Sequence, residues 1–170
     1  NTRLTGNLDA SGARIDNNDT FDIRLDHYAG ASHRIFGRLS YQQPYVGEVN
    51  YFGNVGNPTN PPLLQKRRAG TVQDVWTLSP TTIVNLSYGI SRMYGTRTAW
   101  SDGFDVTQLG LPATFAAAQQ VRAIPLVTIG GYTGIGNSGQ NYSTQLNHTF
   151  LATVTRIQGS HTIKSGFDYR

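Results

Sequence analysis

The sequence has no cysteine among its 170 residues, only two lysines, Lys66 and Lys164, and one glutamate, Glu48. Without cysteine there is neither a disulfide scaffold nor a thiolate metal site. The Lys and Glu skin that keeps soluble domains in solution is nearly missing, since charged residues make up only 14% of the chain. No apolar run is long enough for a membrane helix, and no secretion signal opens the chain, so that, if the protein is exported, this is expected to be an internal piece of it. The net charge of +4 comes from arginines that sit singly beside aspartates rather than along one helix face, and no nucleic-acid partner is expected.

Catalytic signatures are missing too. There is no GxSxG, no HExxH and no carboxylate pair in a recognisable setting, and the four histidines are dispersed. Asp102 and Asp105 flank a loop Gly and Phe, which suits a turn better than acid–base chemistry. Asp16, Asn18, Thr20 and Asp22 alternate as calcium ligands do, but the Gly and distal Glu of a calcium loop are lacking, so a solvated turn is expected there. The glycine-rich stretch 130–139 has no Lys and no βαβ setting, and reads as a loop tip. No enzyme, no cofactor, and no catalytic, cofactor or metal site is expected.

What the chain does have is period-two alternation. In residues 141–170, Leu146, His148, Phe150, Ala152 and Val154 share one face, with Gln145, Asn147, Thr149, Thr153 and Thr155 on the other. Past Gly159 and Ser160 the alternation resumes, with Ile163, Ser165, Phe167 and Tyr169 on the less polar side. Gly-Ser suits a type II′ turn, so this is a tight hairpin. A second hairpin covers residues 19–43. Phe21, Ile23 and Leu25 share a face with Ile35, Gly37, Leu39 and Tyr41. A charge ladder of Asp22, Arg24, Asp26, Arg34 and Arg38 lies on the other. A three-residue turn of Ala29, Gly30 and Ala31 sets Asp26 opposite Arg34 and Asp22 opposite Arg38. A slip by two would set Asp22 opposite Ser40 and lose both charge pairs. His27 and His33 fall across from each other near that turn and, lacking a third ligand, read as interfacial residues.

The third hairpin, 71–78 and 82–94, turns at Ser79, Pro80 and Thr81. Val84, Leu86, Tyr88 and Ile90 form its apolar stripe, which Val72, Trp76 and Leu78 continue and Asp74 interrupts. Two long connections remain. Residues 44–69 are rich in Pro, Gly, Asn and Tyr and end in Lys66, Arg67 and Arg68, a triplet able to hold a phosphate or acidic headgroup but by default a solvated loop end. Residues 95–140 include LPATFAAAQQV, a short helix with Pro near its start. Residues 1–18 read as a loop or the end of a preceding strand, with residues 2–8 as the strand tail.

The expected fold is therefore all-β, an antiparallel up-and-down meander of about six strands, with tight turns at one end and both long loops at the other. That asymmetry, with Tyr28, Tyr41, Trp76, Tyr94, Tyr142 and Tyr169 near strand ends, is the plan of a transmembrane β-barrel. A soluble β-sandwich would alternate in the same way; the loop asymmetry and the shortage of Lys and Glu favour the barrel. Val84, Leu86, Tyr88, Ile90, Phe150, Ala152 and Val154 are expected to face lipid. Asn85, Ser87, Asn147, Thr153, Lys164, Asp168 and the charge ladder are expected to face the lumen.

FDIRLDHYAGASHRIFGRLSY, TLSPTTIVNLSYGISR, GFDVTQLGLPATFAAA and GSHTIKSGFDYR together resemble the barrel of TonB-dependent outer-membrane receptors of the Oar-like kind, which carry a carboxypeptidase-regulatory-like domain ahead of a plug. The resemblance spans residues 19–170. It implies a section of a large barrel in the bacterial outer membrane, whose partners are outer-membrane lipid, a plug domain and the remaining barrel strands, with TonB reached through the plug. No plug or TonB box lies in these residues, so the implied role is lipid-facing wall plus substrate-admitting loops for an unknown substrate. Tyr51, Trp100, Phe104 and Tyr132 are candidate loop contacts. A passive porin-like barrel segment or a soluble β-sandwich surface module are the competing expectations.

Overall fold

The computed structural model describes residues 8–137 and 139–170. Its strands are β1 (Ile15–Ala29), β2 (His33–Gly47), β3 (Leu63–Ser79), β4 (Thr82–Arg97), β5 (Asn141–Gln158) and β6 (His161–Tyr169). They form one six-stranded antiparallel sheet in the order β1-β2-β3-β4-β5-β6. The only helices among the described residues are a 3-10 turn at Val106–Leu109 and α1 (Ala113–Ala118). Connections of two or three residues keep successive strands adjacent, because so short a link cannot carry the chain past its neighbour.

Each turn has a local cause. Gly159 takes φ +60° while Ser160 stays at negative φ, as a type II′ turn requires, and the ladder runs from Gln158↔His161 to Phe150↔Tyr169. Pro80 and Thr81 join β3 to β4, Pro supplying its fixed φ and the Thr81 amide donating to Ser79 Oγ (3.3 Å). Between β1 and β2 the turn is Gly30, Ala31 and Ser32, with Gly30 at φ +70°, one residue later than a turn centred on Gly30.

Strand ends differ from expectation more than strand identities do. β1 already begins at Ile15, so Asp16, Asn18 and Thr20 lie in a strand and not in a solvated turn. β2 runs through Pro44 to Gly47, and β3 begins at Leu63 and takes in Lys66, Arg67 and Arg68. The long connections are thus residues 48–62 and 98–140. Neighbouring strands carry the ladder through residues that would end an isolated strand, since each added residue gains hydrogen bonds from a partner already in place. Of the strand tail expected at residues 2–8, all but Leu8 lie outside the described residues, and Leu8 is in no strand. α1 is also shorter than its sequence span, with Pro112 as N-cap.

The chain divides into two compact units. The first is the sheet unit, Asp19–Gln43, Lys66–Tyr94 and Thr144–Arg170. Gly70 leaves room for its neighbours, an added Cβ falling 3.3 Å from Leu39 and 3.7 Å from Ile90, and one at Gly89 lies 3.7 Å from Thr71 Oγ1. These approaches, the Asn85–Thr153 hydrogen bond (3.3 Å) and the Tyr88–His148 one (2.8 Å) fix which residues share a face. The apolar face carries Leu39, Val72, Val84, Leu86, Tyr88, Ile90, Phe150 and Val154. Its Phe150 and Phe167 rings lie 6.5 Å apart. The other face carries Thr71, Asn85, Ser87, Asn147 and Thr153. None of the buried hydrophobic residues belongs to this unit.

The second is the loop unit, Pro44–Gln65 and Gly95–Ser143 with the segment ending at Asn18. Here the buried residues gather: Ala99, Val106, Ala123 and Ile124, with Asn57 and Ser101. The Ile124 amide donates to Ser101 Oγ (2.9 Å), Trp100 Nε1 to the Thr59 carbonyl (3.2 Å), and Asn137 Nδ2 to the Pro58 and Thr59 carbonyls (3.1 Å each). Arg97 ties to Glu48 (3.6 Å) and donates to the Pro61 carbonyl (2.6 Å). The glycine-rich stretch is held by a Val127↔Ile135 bridge and by Gly136, at φ +77°, whose amide donates to the Gly56 carbonyl (2.8 Å).

Candidate functional site

On the polar face of β1 and β2 the charged side chains form two local groups. Asp22 accepts from Arg38 Nη2 (2.9 Å) and Nε (3.1 Å) and from the Ser40 hydroxyl. With the strands closing around residues 30–32, Ser40 comes opposite Asp22, the shift expected to break its bond to Arg38. The bond survives because an arginine is long enough to reach diagonally. Asp26 is held by Arg24 of its own strand, in a two-point contact of 2.7 and 2.8 Å that matches guanidinium and carboxylate forks. The same guanidinium lies over the Phe36 ring (4.1 Å). Arg34 instead sits over the Tyr28 ring, 5.6 Å from its centroid, so the expected ladder resolves into Asp22–Arg38–Ser40, Arg24–Asp26 and Arg34–Tyr28.

Further along the same face a shallow groove of about 370 Å³ runs across β2 to β5, lined by Ser40, Gln42, Arg67, Ser91, Met93 and Asn147 among others, with Arg68 and Arg92 of the intervening parity also bordering it. Arg67 Nη1 donates to Gln42 Oε1 (3.3 Å). Gln42 and Ser91 were not singled out by sequence reasoning; the signal lay in their parity with Ser40, Arg67 and Asn147. The groove offers hydroxyl, amide and guanidinium donors, a surface suited to polar contact.

The interruption of the apolar face by Asp74 has a partner. His33 Nδ1 lies 2.7 Å from Asp74 Oδ2, and the His33 ring stacks on Trp76 with centroids 5.3 Å apart. The acid is thus inserted as half of a cross-strand pair beside an aromatic, although Asp74 Oδ1 is buried without a hydrogen-bond partner among the described residues. Among the described residues no three metal-ligating side chains converge. Tyr28 falls on the polar face, whereas Tyr41, Trp76, Tyr94 and Tyr142 have the parity of the apolar one.

The four loop aromatics do not meet. Tyr51 lines a hollow of about 260 Å³ with Phe52, Asn57, Pro58, Thr59 and Thr133. Phe104 lines another, of about 330 Å³, beside the 3-10 turn and α1. Trp100 is tied inward to Thr59, and Tyr132 is 74% exposed. In the second hollow Asp105 caps the 3-10 turn, accepting from the Thr107 amide (2.9 Å) and hydroxyl (2.7 Å). Those bonds from Thr107, hydroxyl first, with the more distant charge of Arg122, hold the Asp105 carboxyl below its ordinary range against a smaller opposing effect of burial.

A meander with one apolar face, aromatics toward the strand ends, a polar opposite face and long loops alternating with tight turns is the construction of an outer-membrane β-barrel. The outer membrane beta barrel domain family matches residues 1–170. The chain belongs to that family and resides in the bacterial outer membrane. The soluble β-sandwich alternative falls with this finding and with the single sheet. Comparison with curated proteins and with solved structures gives no match.

Proposed function

We propose that the chain is a section of wall from a TonB-dependent receptor of the Oar-like kind, its apolar face on lipid and its polar face on a lumen that seats a plug. The observation that carries the reading is the loop unit. One connection, residues 98–140, is long, contains its own buried residues Val106, Ala123 and Ile124, and stands against turns of two or three residues between the paired strands. A connection that folds on itself in this way suits selection of a large solute more than passive flow. β1 and β6 end the sheet, and lipid tolerates no open edge, so further strands complete the barrel. Asp22–Arg38–Ser40 and Arg24–Asp26 then present fixed charges of both signs to the plug, and the groove beside them offers polar contacts. The substrate class follows the loops: exposed Tyr51 and Tyr132 with Asn-rich neighbours suit polar ligands such as oligosaccharides, peptides or metal chelates.

The reading is tested with the full-length protein in planar bilayers. A plugged receptor gives little steady conductance until the plug is loosened with urea. A large, persistent conductance without urea would establish the porin-like alternative.

A further inference from the structure

The apolar face ends in a basic cluster. Residues of one parity meet on the polar face at both ends of the segment: Gln65 lies 3.6 Å from an added Cβ on Gly95, and Thr71 Oγ1 3.7 Å from one on Gly89. The alternate residues Lys66, Arg68, Arg92 and Tyr94 therefore project from the other side, the side of Leu39, Gly70 and Ile90. The same proximities set Arg68 across from Arg92 on neighbouring strands. Like charges directly opposed destabilise a sheet. Lys66, Arg68 and Arg92 are all exposed, and none of them has an ion pair or hydrogen bond among the described residues. The acid on this face of β3, Asp74, is engaged with His33.

The height of the cluster is informative. From Leu78 to Arg68 on β3 is about ten residues, which at roughly 3.3 Å each and a tilt of about 40° cover some 25 Å, the height of a barrel's apolar band. The arginines thus sit where hydrocarbon gives way to headgroups, with Tyr94 and Tyr41 of matching parity at the depth where amphipathic rings settle.

We propose that Lys66, Arg68 and Arg92 bind the phosphate of an outer-leaflet lipid headgroup. A phosphate between the two guanidiniums accepts paired hydrogen bonds from each and turns their repulsion into attraction. This rests on the reading that the apolar face meets lipid and that the long loops lie outside.

The test titrates the full-length protein in non-ionic detergent with mixed micelles carrying phosphatidic acid or diacylglycerol, the same lipid without phosphate. Phosphatidic acid is expected to bind and diacylglycerol not, and the double variant Arg68→Gln/Arg92→Gln to weaken binding by roughly 10- to 30-fold. Lys164→Gln, on the polar face, should leave it unchanged. Should the double variant not fold, as judged by heat-dependent mobility on gels, each single variant is expected to weaken binding by about fivefold. Equal binding of the two lipids, unaltered affinity in the variants, or displacement by millimolar inorganic phosphate, which would mark a site for a free anion, overturns the proposal. Labelling of Leu86→Cys in vesicles by a membrane-impermeant thiol reagent separates the two levels. Reaction there refutes the lipid-facing reading itself, while protection without phosphate dependence refutes only the headgroup site.

Discussion

The loop unit and the sheet unit solve the same problem with different solvents. The loop unit withdraws Val106, Ala123 and Ile124 from water and closes its carbonyls with Asn137, Trp100 and Arg97, as a small soluble domain does. In the sheet unit Phe21, Leu25, Leu39 and Phe167 are each more than half exposed. Folding in water would gain little from so open a sheet, because apolar area contributes only when it leaves water. Its side chains are instead arranged to be covered by something outside the chain, and the outer membrane supplies it. Hydrophobic residues in a sequence therefore do not announce a core; their company decides whether they pack on one another or on lipid.

The largest separation between the two units is expected at Gly136. Its φ of +77° disfavours any side chain, and a Cβ there would come within 2.9 Å of three atoms of Ile124 and Pro125. Gly136→Val should open the 98–140 connection to protease while leaving the heat-dependent gel mobility of the folded barrel intact. Simultaneous loss of both would show that the loop unit's packing is needed by the sheet. A smaller effect is expected within the sheet: Leu86→Arg should hinder assembly into bilayers by about 2 to 4 kcal/mol, as measured by folding titrations into lipid vesicles, and Ser87→Arg by far less. Equal penalties would mean that the two faces are not differently solvated.

The smallest effect concerns acid. The Asp105 carboxyl is depressed in the folded loop, so its contribution is complete above the ordinary carboxylate range and is lost as pH falls through its lower folded value. Loosening of the 3-10 turn, followed by amide exchange at Thr107, should therefore appear only in strong acid. Asp105→Asn should abolish that dependence; an unchanged acid profile in the variant would assign it to another group.

Much of the sheet could be read from alternation alone, because side-chain parity survives errors in strand length. The faces of β5 and β6 were legible that way, and Gly159-Ser160 gave the turn its chemistry. Strand ends were not, since Ile15 and Pro44 belong to strands only by virtue of neighbours on adjacent strands. Asp74 was opaque for a related reason: its partner His33 lies 41 positions away, and only the pairing of β2 with β3 brings them together. The opposition of Arg68 and Arg92 likewise depends on register. Sequence shows which face a residue takes, whereas what it meets there is decided by the adjoining strand.

The meander order has a bearing on how such a wall comes to exist. Each described strand is hydrogen-bonded to its immediate predecessor and successor in the chain, and three of the five connections between them close over two or three residues, so little loop entropy is spent in forming those pairs. Such a wall has a natural unit of inheritance, the hairpin. A duplication or deletion of two strands leaves every remaining pairing intact, so the circumference of the barrel can change over evolution in steps of two strands while the loops diversify independently.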